Sequence, residues 1–245
     1  MLLWDGSASL YRDNELSTLH PQDGNVWAIK STLASPAQAS LISAALESRW
    51  GPYGAPAPEA DATVSPFISG FELEAHFLAG EEGRALELMR RQWGFMLDDE
   101  RMTNSTFIEG YSVDGSLHYA PYPNDARISH AHGWSTAPTS LLSFYVAGLH
   151  LESAVGTTWR IEPVLGDLTN VEAGFETKLG GFWSNVKGTG GVIKELKFGT
   201  PIGTTGRVIL TGVEGVLVSD KGKKVLVVDG EAKGVSGGIW SLYTR

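Results

Sequence analysis

Ser135-Thr-Ala-Pro-Thr-Ser-Leu-Leu-Ser-Phe-Tyr-Val-Ala-Gly148 is the stretch on which the reading of this chain turns. Its apolar positions recur at helical spacing, Pro138 falls in the first turn, and Gly148 closes it. Upstream, the pattern is helices separated by long polar loops. Downstream, it becomes short β-rich runs punctuated by Gly, Asp and Thr-Gly. Composition breaks at the same place. Residues 1–150 hold 8 Lys+Arg against 18 Asp+Glu and all six histidines. Residues 151–245 hold 11 against 10, with 18 of the 30 glycines. Two domains are expected, 1–150 and 151–245.

Working back from that helix, Ser35-Pro36 and Ser65-Pro66 each place a hydroxyl cap before a helix-starting proline. Asp23-Gly24-Asn25 precedes a third apolar face, Val26, Trp27, Ile29 and Leu33. Gly80 ends the helix begun at Pro66, and Glu82 to Phe95 forms the next, with Arg90 and Arg91 complementing the helix dipole at its end. Five helices are expected over about residues 23–148, arranged as pairs. Thr103 to His132 has no helical period, and an aromatic-rich loop of that length inside a compact domain points to function. Working forward, strands are expected at Trp159–Ile161, Val171–Lys178, Phe182–Lys187, Val192-Ile193 with Leu196–Phe198, Arg207–Leu210, Val213–Val218, Lys224–Val228 and Ile239–Tyr243. Val218 to Val225 reads as a hairpin with Lys221-Gly222 near its tip, and Gly188-Thr-Gly190-Gly191 as a turn. The expected fold class is α+β and multidomain: part of an α/α toroid of helix pairs, then an antiparallel β-sandwich.

The net charge of −9 argues against nucleic acid as a partner, since phosphate contacts need clustered Lys and Arg. No apolar run is long enough to cross a bilayer, so no membrane span is expected. Asp5 interrupts the apolar start, so no signal peptide is read there. The chain has no cysteine, which excludes disulfides and cysteine metal sites but leaves the compartment open.

The chemistry-bearing residues gather in the long loop. Thr106-Phe-Ile-Glu-Gly-Tyr111 sets one carboxylate among apolar and aromatic neighbours, and Ser129-His-Ala-His-Gly-Trp-Ser135 follows about twenty residues on. Sugar sites need this mixture: ring faces to stack on pyranoses, polar groups for the hydroxyls, and carboxylates for acid and base steps. Glu109 fits the water-activating role, with Gly110 allowing close backbone approach. A loop Glu that only bonds backbone amides would show the same spacing. Trp134 and Tyr111 are the stacking candidates, and His130 and His132 the hydroxyl-binding ones. His-Ala-His also invites a metal reading, but it lacks a third ligand, so no metal or other cofactor is expected. Gly133-Trp-Ser135 lacks the second glycine of a nucleophile elbow.

Together, Ser65-Pro-Phe-Ile-Ser69, Leu88-Met-Arg-Arg-Gln-Trp-Gly94, Ser105-Thr-Phe-Ile-Glu-Gly-Tyr111 and Ser129-His-Ala-His-Gly-Trp-Ser135 resemble the last part of the α-L-rhamnosidases, glycoside hydrolase family 78. The likeness covers roughly residues 20–150, and the tail resembles the family's closing β-sandwich. It implies the end of a six-hairpin (α/α)6 catalytic barrel, inverting hydrolysis of terminal α-L-rhamnosyl residues, and a rhamnose-containing glycoside as partner. It also implies Glu109 as general base and His132 as a rhamnose contact. The family's general acid lies in earlier barrel helices and has no counterpart here, so a fragment or truncated homologue of low activity is expected. Two other readings stay open. One is a non-catalytic sugar-binding module. The other is an α/α-toroid polysaccharide lyase, which would work through a Tyr or His base.

Overall fold

The computed structural model describes residues 2–244. It is α+β, with five helical segments and a large, mostly antiparallel sheet, and it divides into two compact units between Pro138 and Thr139. That division falls inside the helix that opened the sequence reading, while the change in composition comes some ten residues later. No helix among the described residues is long and apolar enough to cross a membrane.

In the first unit, two short strands, β1 (Trp4–Asp5) and β2 (Leu10–Tyr11), pair antiparallel ahead of the helices. Helix α1 (Gln22–Lys30) starts earlier than Asp23-Gly24-Asn25 led one to expect, with Pro21 at its cap. Asn25 is not a cap. It is buried, its Oδ1 accepts from Tyr11 N at 2.7 Å, and its Nδ2 donates to the carbonyls of Tyr11 and Pro21. Helix α2 (Pro36–Glu47) starts as the sequence requires: Ser35 and Gln38 form a reciprocal capping box. Val26, Ile29, Ile42 and Leu46 fill the core beneath Leu10 and Tyr11.

Strand β3 (Thr63–Val64) leads into α3 (Pro66–Leu78). Ser65 does not cap this helix through its side chain, and its hydroxyl is bonded to Tyr119 instead. The next helix runs over residues 82–98 as α4 (Glu82–Leu88), a wider π-helical stretch (Met89–Trp93) and α5 (Gly94–Asp98). The long loop then holds strand β4 (Tyr111–Ser112), which pairs with β3. Helix α6 (Ala137–Leu141) continues as a π-helical stretch to Val146.

In the second unit, β5 (Leu149–Leu151), β6 (Thr158–Ile161), β7 (Asn170–Thr177) and β8 (Gly180–Thr189) precede two very long strands. The runs expected at Val192–Phe198 and Arg207–Leu210 are one strand, β9 (Val192–Ile209). After β10 (Gly215–Ser219) and β11 (Lys224–Val227), the expected Ile239–Tyr243 extends back to form β12 (Glu231–Thr244). Its Gly- and Ser-rich first half hides the strand from pattern reading, and two register irregularities against β9 let those small residues follow the bend. The β10–β11 hairpin forms as expected, with Val218 opposite Lys224.

The strand order is β11-β10-β12-β9-β6-β5, and β8 joins β7 to the near half of β9. All pairings are antiparallel except β6 with β9. Phe182, Ser184 and Val186 point inward at alternate positions of β8. Fully buried Phe182 and Phe198 contribute about 1.5–3 kcal/mol each by leaving water. Trp159 donates its Nε1–H to Thr204 Oγ1 at 2.8 Å, and Thr204 donates onward to Pro201 O at 2.6 Å, pinning the bend of β9. Gly206 sits where any Cβ would run into the Trp159 ring and carbonyl.

We expect Gly206→Ala to destabilise the sheet unit by about 1–3 kcal/mol through overpacking, read as a lowered thermal midpoint. A midpoint unchanged from the parent would show that Trp159 has room to move. His150 gives a pH test. Burial, and then the Arg160 charge, depress its pKa from 6.5 to about 4. The folded chain therefore binds fewer protons than the unfolded chain between those values, so this contribution to stability is lost as pH falls through that window. His150→Phe should flatten the fall, as measured by urea midpoints at pH 4, 5, 6 and 7.

Candidate active site

The long loop closes on itself through main-chain bonds. Glu109 N donates to Ser129 O at 2.8 Å and His132 N donates to Phe107 O at 2.9 Å, so residues 106–109 and 129–132 run side by side. Thr106 Oγ1 donates to His130 O at 2.6 Å. Ser135 Oγ donates to Ile108 O at 2.8 Å, and Trp93 Nε1, from the π-helical stretch, donates to Ser135 O at 2.7 Å. Beyond Gly110, the pairing of Tyr111 with Val64 ties the loop to the segment entering α3. Two distant sequence blocks are thereby clamped to each other and to two helices.

Glu109 lies at the centre and is 3% exposed. Its Oε1 accepts from Tyr122 Oη at 2.6 Å, and its Oε2 accepts from Ser129 N at 3.2 Å. Glu109 therefore does bond a backbone amide, but that is not all it meets. His132 Nδ1 stands 3.7 Å from Oε2, beyond hydrogen-bond length but close enough to pair when protonated. The His132 ring lies against the Trp134 indole at 4.3 Å, and the indole Nε1–H reaches back to Glu109 O at 3.3 Å. Trp134 is 41% exposed, so part of this residue meets solvent beside a buried carboxylate. A carboxylate, an imidazole and an indole face in one place can bind hydroxyls, stack on an apolar ring and accept a proton from water.

Three of the five expected residues, Glu109, His132 and Trp134, thus come together. His130 enters the clamp through its backbone carbonyl. Tyr111 requires a correction as a stacking residue. It is 0% exposed, its ring packs on Phe95 at 5.0 Å, and its hydroxyl donates to Tyr53 O at 2.7 Å. Burial pushes its phenol far above the ordinary value. The aromatic run that reads as a binding surface is here a wedge holding the loop.

Two neighbours of Glu109 escaped the sequence reading. Tyr122 bonds the carboxylate, and Tyr119 lies over Gly110 so closely that a Cβ there would enter its ring. The two tyrosines meet edge to face at 5.7 Å. Both belong to His118-Tyr-Ala-Pro-Tyr-Pro123, which carries no periodic signal. Burial raises the Tyr119 pKa, against the lowering effect of its bond to Ser65.

A second buried carboxylate, Glu72 on α3, also went unnoticed among apolar neighbours. Trp50 Nε1 and Gln22 Nε2 each donate to it at 2.6 Å, on separate oxygens, and His76 Nε2 lies 3.4 Å away. The spacing of Glu72 and His76, one turn apart on a helix face otherwise apolar, was the available clue. With both oxygens occupied, Glu72 ties α1, α3 and the Trp50 loop together. Among the described residues no group of three or more His, Asp or Glu side chains is arranged to hold a metal ion.

No protein-family description matches the sequence, and no curated protein does. Solved structures do match. A GH78 family rhamnosidase from Bacillus sp. GL1 shares 25% identity over 76% of this chain, with a TM-score of 0.59. The α-L-rhamnosidase of Streptomyces avermitilis, solved with L-rhamnose, shares 18% over 90% of the chain at 0.66. That of Aspergillus terreus shares 20% over 98% at 0.64. The resemblance to α-L-rhamnosidases therefore extends to three-dimensional structure and reaches into both units. The chain spans 19–25% of the length of these three enzymes.

One titration tests the geometry around Glu109. Its carboxylate accepts a hydrogen bond from the Tyr122 hydroxyl, and that bond, more than desolvation, raises the phenol pKa above 10. Stability from this bond is present below pH 10 and is lost as pH rises through the elevated value. In Glu109→Gln the Tyr122 ring should titrate back toward 10, followed by NMR of 13C-labelled tyrosine. An unchanged titration would mean the two groups do not touch.

Proposed function

We propose that this chain supplies the base-bearing side of an inverting α-L-rhamnosidase-type site and takes a terminal α-L-rhamnosyl residue of a glycoside as ligand. The observation that carries this reading is the contact of a nearly buried carboxylate, Glu109, with the half-exposed His132–Trp134 pair. In this reading the helix pairs of the first unit form part of an α/α toroid, residues 1–150 forming the end of the barrel domain and 151–245 a β-sandwich domain. The structural likeness to rhamnosidases supports it, as does the L-rhamnose in one of those structures.

Glu109 would take a proton from a water attacking the anomeric carbon. Tyr122 and Ser129 N hold the carboxylate in place by hydrogen bonds that a charged acceptor strengthens. His132 and Trp134 would orient the sugar, the imidazole toward hydroxyls and the indole toward the apolar ring face. Inversion leaves room for that water by placing the acid carboxyl roughly 6.5–9.5 Å from the base.

A second reading, sugar binding without hydrolysis, would use the same His132–Trp134 pair. For the lyase alternative, Tyr111 is unsuited as the base, since its buried phenol is shifted far upward and donates to a carbonyl.

Calorimetric titration with L-rhamnose and turnover of p-nitrophenyl α-L-rhamnopyranoside separate the readings. We expect binding that His132→Ala weakens, and any turnover to fall about 10²–10⁴-fold in Glu109→Gln, as for loss of a positioned base. Binding with turnover indifferent to Glu109→Gln would overturn the base role. No binding would overturn the sugar site.

A further inference from the structure

A base must reach its ligand, yet Glu109 is 3% exposed, and one surface loop supplies part of its cover. The loop is His118-Tyr-Ala-Pro-Tyr-Pro-Asn-Asp125. Tyr122 donates its hydroxyl to Glu109 Oε1 at 2.6 Å, and the Tyr119 ring lies over Gly110 beside it. The two rings meet at 5.7 Å. Around them, Ala120, Pro121 and residues 123–127 are exposed. The main-chain bonds turn back on the loop itself: Tyr122 N donates to Tyr119 O at 2.9 Å, and Arg127 N to Asn124 O at 3.1 Å. At the neck His118 Nδ1 meets Asp125 Oδ1 at 2.7 Å, and Ser112 Oγ donates to His118 O at 3.0 Å. Pro121 and Pro123 restrict the backbone on either side of Tyr122.

The loop is thus tied within itself and stiff at its tip, while tyrosine hydroxyls supply its bonds to the site, Tyr122 to Glu109 and Tyr119 to Ser65. Segments with exposed backbone and few buried contacts open at low cost in free energy. The Tyr122 hydroxyl also takes a place on Oε1 that a water or a sugar hydroxyl could fill. We propose that residues 118–125 form a lid on the Glu109 site, latched by the Tyr122–Glu109 hydrogen bond. The lid swings about its neck as one piece, admits the sugar and relatches beside it. Relatching returns the Tyr122 hydroxyl to Oε1, while Oε2, 3.7 Å from His132 Nδ1, faces the ligand. This rests on the reading of the Glu109 centre as a sugar site. It adds that entry to that site is gated.

NMR relaxation dispersion on the full 245-residue chain needs no variant. It should show microsecond-to-millisecond exchange at the amides of Tyr119, Ala120, Tyr122, Asn124 and Asp125, with the clasp amides of Glu109 and His132 quiet. Tyr122→Phe removes the latch and keeps the ring, and circular dichroism checks that it folds. In this variant the association and dissociation rates of L-rhamnose should rise together, about tenfold or more, the worth of one hydrogen bond to a charged group. The dissociation constant should not change, because the latch is made both before and after the sugar binds. A loop without exchange, or exchange shared equally by the clasp, would overturn the lid. So would a variant that leaves both rates untouched, or one that speeds dissociation alone, the mark of a fixed positioning residue. In all these cases L-rhamnose still binds and the Glu109 site stands. Failure of L-rhamnose to bind the unsubstituted chain would overturn the sugar site, and the lid with it.

Discussion

The two main-chain bonds that join residues 106–109 to 129–132 govern what the first unit can do. Without them Glu109 and His132 are separated by more than twenty residues of loop. With them the two side chains share one short patch. Closing a loop of that length costs conformational entropy that grows only slowly with length, and the surrounding contacts offset it. Ser135 and Trp93 satisfy buried carbonyls of the clasp, and Tyr111 wedges its base against Phe95. A polar backbone buried this deeply must have its groups paired. The same requirement that stabilises the loop therefore places its functional groups.

Two glutamates in this unit are nearly inaccessible, and their surroundings give them different capacities. Glu72 spends both oxygens on short bonds to Trp50 and Gln22, within a cluster that includes His76 and Ser43. Glu109 spends one oxygen on Tyr122, while the other has one longer bond and a histidine at 3.7 Å. The first arrangement suits a permanent structural tie, the second a group that exchanges partners when a ligand enters. Sequence spacing hints at the Glu72–His76 pair but does not show which carboxylate has both oxygens engaged. The difference lies in partners drawn from other parts of the chain.

What the sequence made legible follows from local rules. The capping box at Ser35 and Gln38, the stop at Gly80 and the β10–β11 hairpin are set by residues within a few positions of each other. The blocks carrying Glu109 and His132 were readable as motifs. What escaped reading depends on distant partners. Ser65 turns to Tyr119 rather than capping its helix. Tyr111 is drawn into the interior by Phe95 and the Tyr53 carbonyl. The first half of β12 is held as a strand by β9 despite a composition that disfavours strands. Tyr122 reaches Glu109 from a loop with no pattern at all.

Strand β9 has a further consequence, for how the chain folds. It borders β8 and β12 along its first half and β6 and β12 along its second, so three strands of the sheet pair through it. Its parallel pairing joins residues 158–161 to 205–208, across more than forty intervening positions. Contacts so far apart in sequence form slowly, because chain must be ordered before they reward it, whereas neighbouring helices find each other quickly. The sheet unit should therefore carry the slow phase of refolding, and until β9 is in place β6, β8 and β12 offer unpaired edges. The lifetime of those edges is what a cell, or a refolding protocol, would have to manage.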